Sequence, residues 1–97
     1  MARITGLSHV AIKSDRFEET LRFYKDGLGL FLVQQTKDSA VLRVPDGTVI
    51  EVFAGGEPSR NTAGITHFCF NAHNLKAVME RAVCFGASVK TQPYPLG

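Results

Sequence analysis

The sequence predicts an α+β fold built from tandem βαβββ modules, the second lacking its last hairpin. Three observations predict it. Gly-Leu-Ser-His-Val-Ala-Ile at residues 6–12 returns as Gly-Ile-Thr-His-Phe-Cys-Phe at residues 64–70, so His67 repeats His9 at an offset of 58 residues (67 − 9). Self-similarity at a fixed offset signals a duplicated supersecondary unit. Within the first copy the apolar period runs two, then about 3.6, then two again. Turn residues punctuate each switch. Module one spans 4–54, a linker 55–63 and a partial module two 64–97, together one domain over 1–97.

Residues 4–13 carry a strand pattern. Leu7, His9 and Ala11 share one face, and Ser8, Val10 and Ile12 the other. A helix start follows: Ser14 or Asp15 can cap, and Asp15 to Glu18 has capping-box spacing. Phe17, Leu21, Tyr24 and Leu28 form one apolar stripe, which Gly27 and Gly29 end. Residues 30–36 read as a second strand. Ala-Val-Leu-Arg-Val, Pro-Asp-Gly and Thr-Val-Ile-Glu-Val-Phe then form a hairpin, with Pro45 and Asp46 central in a type I turn and Gly47 at positive φ.

Residues 55–63 are polar and turn-rich, as a linker should be. In the second copy, the strand holding His67 leads to a helix capped by Asn71, His73 or Asn74. Its apolar positions are Leu75, Val78, Met79, Ala82 and Phe85, with Gly86 at the end. Residues 87–92 suggest one more strand, after which Pro-Tyr-Pro-Leu-Gly closes the sequence.

The 97 residues carry eleven basic and nine acidic side chains with no basic cluster, which disfavours a nucleic-acid partner. No run approaches the ~20 apolar residues of a membrane span, and the N-terminal residues lack a signal peptide's apolar core. Cys69 and Cys84 make no disulfide framework. These features fit a cytoplasmic protein.

Two matched histidines carry the functional reading. The opposite face of each of their strands bears large apolar residues, Val10 and Ile12 or Phe68 and Phe70. His9 and His67 therefore face away from the helices, toward a shared hollow. Neutral imidazoles converging there are good ligands for Zn, Ni, Fe, Mn or Co. A lone strand histidine is otherwise an ordinary hydrogen-bonded residue. Glu51 interrupts an apolar strand, where a carboxylate is costly unless paired or metal-bound. The bland alternative is an edge-strand glutamate that blocks aggregation. Two histidines and one carboxylate leave metal positions open for substrate.

Arg43 would share Glu51's side of the sheet if the turn is the three-residue form, and could then contact an anionic substrate. Phe53 and Cys69 are further substrate-binding candidates, Cys69 being otherwise a small apolar filler. Phe53, Val49, Leu7 and Ile65 would line the hollow. His73 reads as an exposed or capping residue and Cys84 as packing. No catalytic base is assigned.

The strand-helix-strand-strand-strand repeat resembles the vicinal oxygen chelate superfamily, which includes glyoxalase I, bleomycin-resistance proteins and extradiol dioxygenases. Leu-Arg-Phe-Tyr-Lys-Asp-Gly-Leu-Gly-Leu, Pro-Asp-Gly-Thr-Val-Ile-Glu-Val-Phe and the two histidine strands carry the likeness from Ile4 to about Gln92. The resemblance implies paired modules around a divalent metal, with His9, Glu51 and His67 matching three ligand positions. A fourth ligand, usually a glutamate, would fall one repeat offset beyond Glu51, outside these 97 residues. The resemblance also implies a homo-oligomer, commonly a dimer, acting on a small molecule.

Three functions are expected from it. The first is a metal-dependent lyase or isomerase of the glyoxalase type, acting through an enediolate. The second is a non-catalytic binding module of the bleomycin-resistance type. The third is an extradiol-type dioxygenase, which requires Fe(II).

Overall fold

The computed structural model describes residues 2–56 and 68–90. In chain order they form β1 (His9–Ser14), α1 (Phe17–Arg22), a π turn (Phe23–Gly27), β2 (Phe31–Gln35), β3 (Ser39–Arg43), β4 (Val49–Ala54) and α2 (Leu75–Cys84). The four strands make one mixed sheet in the order β1-β4-β3-β2. β1 runs parallel to β4, and β2-β3-β4 is an antiparallel meander. The expected α+β class and the complete first βαβββ unit are both present.

Strand alternation sorts the sheet's residues onto two faces. Val10 and Ile12 of β1, Ile50 and Val52 of β4, and Ala40 and Leu42 of β3 point toward α1. There Phe17 and Leu21 join them in the core, and Tyr24 and Leu32 pack at its margin. Leu42 and Val52 are wholly shielded from solvent. Branched and aliphatic side chains fill the space between helix and sheet, which is why this face is fixed in register: a slip of one residue would turn every one of them to water. Tyr24 is partly desolvated there, and burial pushes its phenol pKa upward.

The β3–β4 turn is the three-residue form. Gly47 donates its N–H to the Val44 carbonyl (2.8 Å), and Val44 donates to the Thr48 carbonyl (2.8 Å). Gly47 has φ +97°, where a side chain would be strained. Asp46 Oδ1 accepts the Thr48 N–H at 2.8 Å. The outcome is the register Arg43↔Val49, as the turn reading requires.

Several local expectations change. The strand expected over 4–13 starts only at His9, opposite the first residue of β4, Val49, whose N–H donates to the Ser8 carbonyl at 3.0 Å; before that bond Ile4 and Leu7 are 93% and 74% exposed. The Asp15–Glu18 capping box does not form. Arg16 is the N-cap without a side-chain bond. Ser14 instead closes a turn, accepting the Arg16 N–H at 3.0 Å and bonding the Thr20 hydroxyl at 2.7 Å. The helix expected through Leu28 is α-helical only to Arg22 and then widens into the π turn, closed by Leu28 N–H donating to the Phe23 carbonyl at 2.9 Å.

Of the second copy, α2 is described. Asn74 caps it from a left-handed conformation, its Oδ1 accepting the Ala77 N–H at 3.2 Å. Its Ala82 is buried, and it packs on the π turn of the first unit. Arg81 Nε donates to the Asp26 carbonyl at 2.7 Å, and Phe85 lies under the guanidinium groups of Arg22 and Arg81. Residues 68–70 and 87–90 are not in strands, contrary to expectation. A strand exists only through its neighbour's ladder, and none pairs with them among the described residues. The rest of those two segments, 64–67 and 91–92, lies outside the described residues, as do most of the linker and Ile65. Phe68 and Phe70 are exposed and pack edge to face on each other, centroids 5.6 Å apart, instead of covering a helix.

Candidate metal centre and substrate face

The face of the sheet turned away from α1 is built in rungs. His9, Val49, Arg43 and Phe31 lie side by side across β1-β4-β3-β2. The next rung is Ala11, Glu51, Val41 and Gln34, and the third is Lys13, Phe53 and Ser39. A bulge at Val33 keeps Gln34 opposite Val41. Glu51 thus occupies the middle of the face, between the short side chains of Ala11 and Val41. His9, Lys13, Arg43 and Ser39 are its diagonal neighbours.

His9 and Glu51 come together. Nε2 of the imidazole stands 3.9 Å from Oε1 of the carboxylate, with the two side chains 53% and 29% exposed. At that separation no hydrogen bond joins them. Donors bound to one ion at ~2.0–2.2 Å stand roughly 3–3.5 Å apart, which a small side-chain rotation supplies. The donor set, one imidazole and one carboxylate, suits a first-row divalent metal.

Glu51 lies on β4, which is paired on both sides, so it is not an edge-strand glutamate. A half-buried carboxylate inside a sheet blocks no aggregation, and that alternative falls away.

Ser8, which the sequence reading overlooked, supports His9. Its hydroxyl lies 3.3 Å from Nδ1 of the imidazole. A partner on Nδ1 orients the ring and leaves Nε2, the nitrogen nearer Glu51, free. The signal was available in the sequence: a hydroxyl residue precedes each repeated histidine, Ser8-His9 and Thr66-His67.

Arg43 takes the position the turn form dictates, on Glu51's face and exposed. Phe53 and Val49 also lie on this face, Phe53 36% exposed. Phe31, not singled out from the sequence, is 67% exposed at the end of the His9 rung. Leu7 precedes β1 and, 74% exposed, lines no hollow among the described residues. His67 lies outside the described residues. Among those described, no cluster of three or more His, Cys, Asp or Glu forms a metal site. Cys69 and Cys84 are free and exposed, so Cys84 is not packing. His73 is exposed, and Asn74 takes the cap instead.

The profile of the glyoxalase/bleomycin resistance protein/dioxygenase superfamily matches residues 6–96. The chain belongs to this superfamily. No curated protein matches it in sequence. Among solved structures it is similar to lactoylglutathione lyase from Agrobacterium tumefaciens, with a TM-score of 0.69 and 17% identity over 93% of this chain and 77% of that one. It is also similar to the fosfomycin resistance protein FosX from Listeria monocytogenes, with a TM-score of 0.73 and 17% identity over 97% of this chain and 75% of that one. A point variant of FosX, solved with Mn(II) and dihydroxypropylphosphonic acid, aligns with a TM-score of 0.70 and 17% identity, at 97% and 75% coverage. At these identities the likeness is one of fold. Among the described residues no helix is long and apolar enough to cross a membrane.

Proposed function

We propose that the chain is a divalent-metal-dependent lyase or isomerase of the glyoxalase type, acting on a small molecule with two adjacent oxygens through an enediolate. The observation that carries this reading is the meeting of His9 Nε2 and Glu51 Oε1 at 3.9 Å on the open face of the sheet. Superfamily membership supports it, as does the divalent metal held by a structural neighbour. His9, Glu51 and His67 are the proposed ligands, and a homodimer the proposed assembly. The metal, when bound, supplies a Lewis acid for the two substrate oxygens.

The chain's own residues do the positioning. The interior strand β4 fixes the Glu51 carboxylate, and Ser8 holds the His9 ring. Val49 and Phe53 exclude water from one side of the substrate, and Arg43 offers a fixed fork of donors. Cys69 is proposed as a substrate contact only through its nearness to His67 in sequence.

Elemental analysis of the purified protein tests the reading. About one zinc-, nickel-, iron-, manganese- or cobalt-class ion per chain, lost in His9→Ala, supports it. Wild-type protein that takes up none of these ions overturns it.

A second reading, a small-molecule binder of the bleomycin-resistance type, draws on the exposure of Phe31 and Phe53 on the same face as the pair. It predicts a folded, metal-free protein that still binds an aromatic ligand.

A further inference from the structure

Among the described residues the charge on the open face is unbalanced. Glu51 is the one acidic residue among its rung positions, and Arg43 and Lys13 are both on the same face. Neither cation has a carboxylate within 4.0 Å among the described residues; the ion pairs there are His9–Glu51 and Arg16–Glu19. Arg43, Lys13 and Glu51 together carry one surplus positive charge, which a divalent ion between His9 and Glu51 would raise to three. A site of that sign attracts anions and disfavours neutral or cationic ligands.

The two cations differ in placement. Arg43 sits on the His9 rung, two strands away, about 10 Å between Cα atoms at ordinary strand spacing. Lys13 is four residues along β1 from His9, about 13 Å, on the far side of Glu51. Its stem lies under Gly56, where an added Cβ would sit 3.5 Å from Lys13 Cβ and 3.8 Å from Cδ.

We propose that the substrate is a small oxyanion, a carboxylate or a phosphoryl compound, whose anionic group is taken by Arg43 while its neighbouring oxygens face the His9–Glu51 pair. Arg43 sets specificity through its planar fork, which matches both oxyanions in a two-point contact. Lys13 acts at longer range as a point charge that draws the anion in. The proposal rests on the metal reading for the position of the vicinal oxygens but not for the Arg43 contact.

Calorimetric titration with glycerate, glycerol 3-phosphate and neutral glycerol provides the test, on both chelator-treated and Zn-loaded protein. Saturable binding of glycerate or of glycerol 3-phosphate, with none of glycerol, supports the proposal, and the better of the two identifies the oxyanion. Arg43→Gln should weaken that binding at least tenfold. Arg43→Lys should restore part of it, and Lys13→Gln should weaken it only severalfold, with a loss that shrinks as salt rises. Arg43 is exposed, so its variants should keep the wild-type circular dichroism.

Equal affinity for glycerol and the two anions, no binding of either anion, or anion binding unchanged in Arg43→Gln would overturn the proposal. The metal assignment is read separately. Protein that takes no metal yet binds an anion through Arg43 ends the enzyme reading and keeps this one. Metal uptake with anion binding indifferent to Arg43 does the reverse.

Discussion

Phe85 lies so close to Gly27 that a methyl group on the glycine would stand 2.9 Å from the Phe85 Cβ. That contact, with Arg81 donating to the Asp26 carbonyl, ties α2 to the end of the first unit's helix. Gly27→Ala is therefore expected to push α2 away, at about 1–3 kcal/mol, the usual cost of overpacking. Urea denaturation should show the loss, and hydrogen exchange should show α2 opening before β3 and β4. A variant as stable as wild type would mean the two segments separate without cost.

Loss of a proposed ligand should abolish metal uptake. Zn content measured after dialysis is expected to fall to background in His9→Ala and in Glu51→Gln, and His67→Ala should behave alike. Ser8→Ala should keep the ion but bind it about tenfold more weakly, the low end for a partner behind a ligand, since its 3.3 Å contact is exposed.

The two faces of the sheet should respond oppositely to truncation. Leu42 is wholly buried, and Leu42→Ala should cost about 2–5 kcal/mol. Phe31→Ser removes a larger side chain from the neighbouring strand, yet should stay within about 0.5 kcal/mol because that ring is 67% exposed. Chemical denaturation midpoints of the two variants decide.

Acid should weaken the β3–β4 turn. Hydrogen bonds from Thr48, the backbone N–H first, hold the Asp46 carboxyl below its ordinary range. A folded pKa below the unfolded one gives stability that is present above the unfolded value, about 4, and disappears as pH falls through the folded value. Asp46→Asn should accordingly flatten the acid limb of the stability curve below about pH 4 and leave its slope at neutral pH unchanged.

The first unit was legible because its signals are local and agree. Alternation of Val10 and Ile12 with His9 and Ala11 gave the strand's faces, and Pro45-Asp46-Gly47 gave the turn that aligns Arg43 with Val49. The approach of His9 to Glu51 followed from faces alone, without knowledge of the parallel pairing that brings them together. What could not be read was set by tertiary contact. The capping box at Asp15 lost to a turn made by Ser14, a choice fixed by its bond to Thr20. The π turn at Phe23–Gly27 has no mark in the apolar period, since it coincides with packing against a helix some sixty positions later. Phe68–Phe70 has the composition of a strand, but composition supplies no partner ladder.

The arrangement of β1 has one more consequence. It is the outermost of the described strands on its side, hydrogen-bonded in the sheet to β4 alone, whereas Glu51 belongs to the paired interior. An ion shared between His9 and Glu51 would rivet this margin to the middle of the sheet, closing a loop of some forty residues. Chelation should then do more than disarm the protein: fraying would begin at β1, and the melting temperature would track free metal concentration.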